Sequence, residues 1–208
     1  MNTVVVFPGG ESLSSDVLND LPDDAYVIAA DSGFDRAGEL GVEVDLVVGD
    51  MDSIEGELDD QAVDLHPADK DHTDLELALM EAAKRDPERI VVVGGHGGRL
   101  DHLLANAAVI CSGWLANHQV DWITDHTRAT VFHSGGRIHG DPGDTVTLLA
   151  VGGDVLGITT DGLQWELQGE TLEQGETRGV SNVLEKPVAT VNLVAGTLLA
   201  VLVPQAGA

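Results

Sequence analysis

Uninterrupted apolar runs punctuate the first part of the chain at Val4–Phe7, Tyr26–Ala30, Leu46–Val48 and Ile90–Val93. A strand with one solvated face alternates apolar and polar residues. A run without alternation is covered on both faces, as in a parallel sheet between layers of helix. Helical patterns lie between these runs. Thr73-Asp74-Leu75-Glu76 has the form of a capping box, Leu75, Ala78, Leu79 and Ala82 recur on one face behind it, and Pro87 lies just beyond the end. A second helix is predicted from about Leu100 to Ala116, with Leu103, Leu104, Ala107, Ile110, Cys111 and Trp114 facing inward. After Thr124 the texture changes. Thr127–His133, Thr145–Val151, Val155–Thr160, Leu163–Leu167, Val188–Val194 and Leu198–Val203 read as short strands, separated by Gly-Gly, Asp-Pro-Gly and Asp-Gly turns. The expected fold class is α/β. A Rossmann-like, mostly parallel sheet with helices spans residues 1–124, and a C-terminal antiparallel β-sandwich domain spans 125–208.

Composition narrows the picture. The 208 residues are 43% hydrophobic but only 3% aromatic, so the core is built from Val, Leu, Ile and Ala. A net charge of -26 excludes general affinity for nucleic acid or for an anionic membrane, both of which need basic surface. Leu193 to Val203, the longest apolar stretch, is too short to span a bilayer. Met1 runs almost directly into the first strand, so no signal peptide is expected, and the chain reads as soluble and cytoplasmic. The single cysteine, Cys111, forms no internal disulfide and is expected in the core. The scattered histidines lack the spacing of a structural zinc site.

Ligands of an open parallel sheet collect at the carboxyl ends of its strands. Here those ends carry Pro8-Gly9-Gly10, Asp31-Ser32-Gly33, Gly49-Asp50-Met51-Asp52-Ser53 and the Gly94–Gly98 loop. In extended chain Asp50 and Asp52 project to the same side, and two like charges held together call for a cation or donor between them. Asp50, Asp52 and Asp74 are the hard oxygen ligands that Mg²⁺ takes. Asp71 and Asp74, three apart at a helix start, share that chemistry or stabilise the helix dipole. The glycines let backbone N–H groups approach a polyphosphate, and Arg99 offers it a planar fork. His102 and Asn106, one turn apart, face a nucleotide or are helix-surface polar groups. No Walker-type loop is present. Most of the 36 acidic residues lie outside these motifs, so the overall charge is chiefly a surface property.

Taken in order, Ala30-Asp31-Ser32-Gly33, Gly49-Asp50-Met51-Asp52-Ser53, Asp71-His72-Thr73-Asp74 and Gly97-Gly98-Arg99-Leu100-Asp101-His102 resemble the thiamine pyrophosphokinase (thiamine diphosphokinase) family. Thr160-Asp161-Gly162-Leu163-Gln164-Trp165, Gly175 and Arg178-Gly179-Val180-Ser181-Asn182 extend the resemblance across nearly the whole chain. It implies a homodimer with active sites at the subunit interface, and Mg²⁺-dependent transfer of the diphosphoryl group of ATP to the hydroxyl of thiamine, releasing AMP. It implies metal ligation by Asp50, Asp52 and Asp74, with the proton of the hydroxyl accepted by one of these or by Asp71. Nucleotide contacts are implied for Asp31, Gly33, Thr73, Gly97, Gly98, Arg99, Asp101, His102 and Asn106. Thiamine contacts are implied for Ser181 and Asn182, with Trp165 either a platform for the ring system or a packing residue.

The chain departs from the family pattern in three places. Met51 stands where Phe is common, Ser32 replaces a common Gly, and Val183-Leu184-Glu185-Lys186 lacks the aromatic that follows Ser-Asn in some relatives. Two other functions fit the same motifs: a pyrophosphokinase acting on a pterin alcohol, and a non-catalytic nucleotide or thiamine sensor.

Overall fold

Val4, Val5, Val6 and Phe7 are all buried although alternate residues of a strand face opposite ways, so the first strand has core on both sides. This is the computed structural model of the chain, and it describes residues 2–56, 62–67 and 71–205. The chain divides into two compact units, Met1–Val109 with Val120–Asp125, and Ile110–Gln119 with His126–Ala208.

In the first unit the strands are β1 (Thr3–Pro8), β2 (Tyr26–Ala30), β3 (Leu46–Gly49), β4 (Ala62–Leu65), β5 (Arg89–Val93) and β6 (Gln119–Ile123), in the sheet order β6-β5-β1-β2-β3-β4. The β1–β2, β1–β5, β2–β3 and β3–β4 pairs are all parallel. Helices α1 (Gly33–Glu39), α2 (Asp74–Ala83) and α3 (Leu100–Ile110) complete it. Parallel register brings the ends of β1, β2 and β3 to one edge, with Pro8 opposite Ala30 and Ala30 opposite Val48. Helix α1 starts close to the end of β1: a Cβ on Gly33 would lie 1.8 Å from the Phe7 carbonyl oxygen, so only glycine fits there. In α2 the Thr73 hydroxyl accepts the Glu76 N–H at 3.2 Å, while Leu75, Ala78, Leu79 and Ala82 are buried against β1, β2 and β3.

Helix α3 departs from expectation. It stops at Ile110, because Ser112 takes an extended conformation before a short 3₁₀ turn at Gly113–Leu115. That break puts Trp114 out of phase with the helix, and it is exposed, as is Leu104. The inward stripe is instead Leu103, Asn106, Ala107 and Ile110. Asn106 holds its place on this stripe by donating to the Gly95 carbonyl at 2.9 Å.

The second unit is built from β7 (Arg128–Phe132), β8 (Gly135–His139), β9 (Thr145–Ala150), β10 (Val155–Asp161), β11 (Gln168–Leu172), β12 (Asn182–Val183), β13 (Val188–Asn192) and β14 (Leu198–Val203). They form two antiparallel arrays, β12-β9-β14-β7 and β11-β10-β13-β8. Val146, Leu148, Leu198 and Leu202 of one array share a core with Ile138, Ile158, Leu172 and Val191 of the other, which makes a β-sandwich. The expected strand Leu163–Leu167 is a loop. Leu163 and Leu167 are both buried and pin its ends, Leu163 by a bridge to Leu184 and Leu167 by paired hydrogen bonds with Thr160.

No helix of the described residues is long and apolar enough to cross a membrane. Cys111 is 5% exposed, and burial pushes its thiol up to about 12, so the thiolate is scarce at neutral pH. A thiol reagent should therefore leave the native protein unlabelled at pH 7.5 and label one site per chain after denaturation.

Candidate active site

The edge where β1, β2 and β3 end is shaped by two residues in left-handed backbone conformations that non-glycine residues seldom adopt, Asp31 (φ 50°) and Met51 (φ 63°). The Asp31 N–H donates to the Val48 carbonyl at 2.9 Å, which fixes Asp31 against the end of β3. Beyond Gly49 the chain turns rather than staying extended. The Asp52 N–H bonds back to Asp50 Oδ1 at 3.3 Å, and the Ser53 hydroxyl donates to Asp52 Oδ1 at 2.9 Å. Asp50 and Asp52 are thus brought together by a turn, not by strand alternation.

Oxygens of Asp31, Asp50 and Asp52 lie within 4.8 Å of one another. Asp74, expected in this group, falls outside it and approaches from the start of α2. A Cβ on Gly49 would meet the Asp74 carboxylate at 2.9 Å and the Asp31 Cβ at 3.2 Å, so only a bare backbone lets both acids come so near. Asp31 Oδ1 is buried and has no hydrogen-bond donor among the described residues. Burial raises the pKa of the Asp31 carboxyl. The charges of Asp74 and Asp50 act in the same direction, opposed by the Ser53 hydroxyl and the Ser32 backbone N–H. Three hard oxygen donors, one of them an orphan, fit a divalent cation such as Mg²⁺.

Beside the cluster lies a cavity of about 440 Å³. Asp31, Thr73, Asp74, Gly97, Gly98, Arg99, His102 and Asn106 all line it. Gly33, Asp71 and Asp101 are not among its lining residues, and neither are Asp50 and Asp52, whose neighbour Ser53 is. Gly33 is buried beneath β1, and Asp71 is exposed. The Gly94–Gly98 loop is held in place from behind by the Asn106 amide and by the Trp122 indole N–H, which reaches the Gly94 carbonyl at 2.6 Å.

Both features expected to bind phosphate, the Arg99 guanidinium and the glycine-loop N–H groups, are engaged by acids. Arg99 forms a fork with Asp101 at 3.1 and 2.5 Å, and this bond holds the Asp101 carboxyl at about 2. Glu11, two residues past Gly9, accepts the Gly98 N–H at 3.1 Å and so sits in the anion seat of the glycine loop. The sequence motifs do not mark Glu11, although its place directly behind Gly9-Gly10 at a strand end was a usable signal. His96, within the Gly94–Gly98 loop but assigned no role from the sequence, also lines the cavity, and its Nδ1 is buried with no partner among the described residues.

In the second unit, Ser181 has a left-handed backbone (φ 59°) and donates its N–H to the Thr147 hydroxyl. Asn182 is buried and bonds the Trp165 backbone, while Trp165 itself is 58% exposed.

Residues 19–122 match the family model for the thiamin pyrophosphokinase catalytic domain, and residues 137–198 match that for the thiamin pyrophosphokinase vitamin B1 binding domain. The chain belongs to the thiamine pyrophosphokinase family. A thiamine pyrophosphokinase of Bacillus subtilis (strain 168) is 27% identical over 96% of the chain and 97% of its own length. A crystal structure of thiamine pyrophosphokinase from Bacillus subtilis superposes with a TM-score of 0.86 at 24% identity, covering 98% of this chain and 100% of that one. One from Geobacillus thermodenitrificans gives 0.83 at 25% identity, covering 100% and 99%.

A carboxyl whose folded pKa is raised lends stability below its unfolded pKa, and that stability is lost as pH rises through the folded value. In this family member Asp31 therefore weakens the metal-free fold at neutral pH. Asp31→Asn should raise the Tm in chelator-treated buffer at pH 7.5, and the gain should shrink toward pH 4 as the wild-type carboxyl protonates. Added Mg²⁺ should raise the wild-type Tm and leave that of Asp31→Asn nearly unchanged; differential scanning calorimetry measures both.

Proposed function

We propose that the protein is a thiamine diphosphokinase, moving the β,γ-diphosphoryl unit of ATP to the hydroxyl of thiamine and releasing AMP. The observation that carries this reading is the orphaned Asp31 oxygen within a cluster of three carboxylates, beside a cavity walled by a glycine loop, in a chain of this family. Asp31, Asp50 and Asp52 would hold Mg²⁺, with Asp74 adjoining. When bound, Mg²⁺ offsets phosphate charge and aligns the β-phosphorus for attack.

The chain's own residues supply the rest. Backbone N–H groups of the Gly94–Gly98 loop seat phosphate oxygens, and Arg99 adds a fork once Asp101 yields it. The thiamine hydroxyl oxygen forms a bond to the β-phosphorus, the α,β-bridging P–O bond breaks with its electrons going to AMP, and the hydroxyl proton passes to a carboxylate at this edge. Trp165, exposed on the second unit, provides a flat aromatic face suited to the cationic thiazolium and its linked pyrimidine. We place the working enzyme as a cytoplasmic homodimer with active sites at the subunit interface, with residues 1–124 as the nucleotide- and metal-binding catalytic domain and residues 125–208 as the all-β domain contributing to thiamine binding and dimerisation.

Incubation with ATP, Mg²⁺ and either thiamine or a hydroxymethylpterin, followed by product identification, tests this. AMP with thiamine diphosphate in equal amounts is expected. ADP would refute diphosphoryl transfer, turnover of the pterin alone would shift the acceptor class, and no turnover with either would favour a sensor.

Asp50→Asn and Asp52→Asn should each lower kcat at least about 100-fold with the circular dichroism spectrum unchanged, since each removes charge that offsets several kcal/mol in the transition state. Glu11→Gln should lower the KM for ATP by about fivefold, equivalent to roughly 1 kcal/mol of like-charge contact removed from the glycine loop.

A further inference from the structure

The backbone that carries the exposed Trp165 ring is held by a buried side chain. Asn182 is 5% exposed. Its Oδ1 accepts the Trp165 N–H at 3.1 Å and the Val183 N–H at 2.8 Å, and its Nδ2 donates to the Trp165 carbonyl at 2.7 Å. The side-chain amide thereby serves both backbone groups of Trp165, as an extra peptide unit would in a strand pair. Only this orientation of the amide satisfies all three contacts, because the opposite one would set N–H against N–H and oxygen against oxygen.

The surrounding loop is held at matching points. The Gln164 N–H donates to the Val183 carbonyl at 2.9 Å and the Glu185 N–H to the Gly162 carbonyl at 2.9 Å, with Leu163 bridged to Leu184. Trp165 is the first residue past this short ladder; beyond it the Glu166 side chain accepts the Gly162 N–H at 3.3 Å, and the next backbone groups held are those of Leu167, bonded to Thr160. Asn182 fills the gap. The left-handed Ser181 just before it turns the chain so that Asn182 points inward while Ser181 stays exposed.

We propose that Asn182 is a positioning residue for thiamine, acting through Trp165 rather than on the substrate. This rests on the reading of Trp165 as the ring platform. With Oδ1 accepting twice and Nδ2 donating to a carbonyl, the buried side chain is engaged by backbone groups, whereas loss of the clamp would free the backbone that carries the indole. A ring whose backbone anchor is fixed before binding costs less to order on binding, so the clamp lowers the thiamine KM and leaves the ATP side untouched.

A double-mutant cycle tests this, using the full-length protein with KM for thiamine, KM for ATP and kcat as readouts. Trp165→Ala and Asn182→Ala should each raise the thiamine KM about tenfold, with the ATP KM within twofold of wild type. Asn182→Ala added to Trp165→Ala should raise it no further. A further rise of fivefold or more in that background would show direct contact with substrate and overturn the proposal. An unchanged thiamine KM in Asn182→Ala, with Trp165→Ala impaired, would also overturn it. An unchanged KM in Trp165→Ala would instead defeat the platform reading and the proposal with it. If Asn182→Ala does not fold, the same cycle is run with Asn182→Ser, which keeps an oxygen for one N–H and should give a smaller rise that likewise vanishes in Trp165→Ala.

Discussion

Like-charge repulsion among Asp31, Asp50 and Asp52 is the constraint around which the first unit is organised. Their oxygens share a space under 5 Å across, and Asp74 adds a fourth charge alongside. No fold gains stability from such an arrangement without a cation. It persists because the sheet determines it: parallel register sets the end of β2 against the end of β3, and the Asp31 N–H is tied to the Val48 carbonyl. The left-handed turns at Asp31 and Met51 then aim the carboxylates into one spot. Unfavourable backbone and unfavourable charge coincide, and a metal with bound phosphate, as proposed above, would offset both.

The same logic extends to the cationic side of the cavity. In a chain of net charge -26, an unpaired guanidinium or bare N–H array soon finds an acid. Arg99 has Asp101 and Gly98 has Glu11. Under the proposed function a metal-charged triphosphate would have to displace these internal partners. Fully exposed Arg99 and Asp101 lose little by parting, because solvent screens their attraction.

Much of the framework was legible in the amino-acid order. Short, Val- and Ile-rich apolar runs without alternation, each closed by Gly, Asp or Pro-Gly, fit strands covered on both faces, and the Thr73 capping box specified the start of α2 to the residue. The strand ends therefore pointed to one edge and its acids to one chemistry. What escaped depended on tertiary neighbours. Asp31 joins the carboxylate cluster because β2 and β3 are adjacent, a fact no local motif carries. Leu104 and Trp114 read as core by periodicity, yet Asn106 took the inward stripe to bind the glycine loop, and Ser112 broke the helix ahead of Trp114. Strands as polar or glycine-rich as Gly135–His139 and Gln168–Leu172 have no hydrophobic signature to read. Thiamine contact at Asn182 is an implication of the family resemblance, whereas only the fold shows its amide bonded to the Trp165 backbone.

The claim that the acidic edge exists to hold a metal together with polyphosphate is tested most directly by calorimetric titration of a non-hydrolysable ATP analogue into the protein, with and without Mg²⁺, for wild type and Asp50→Asn. The analogue should bind wild type at least about tenfold more tightly with Mg²⁺ than in chelator, and Asp50→Asn should lose this dependence. Equal affinity with and without Mg²⁺ in wild type, or an undiminished Mg²⁺ effect in Asp50→Asn, would contradict it.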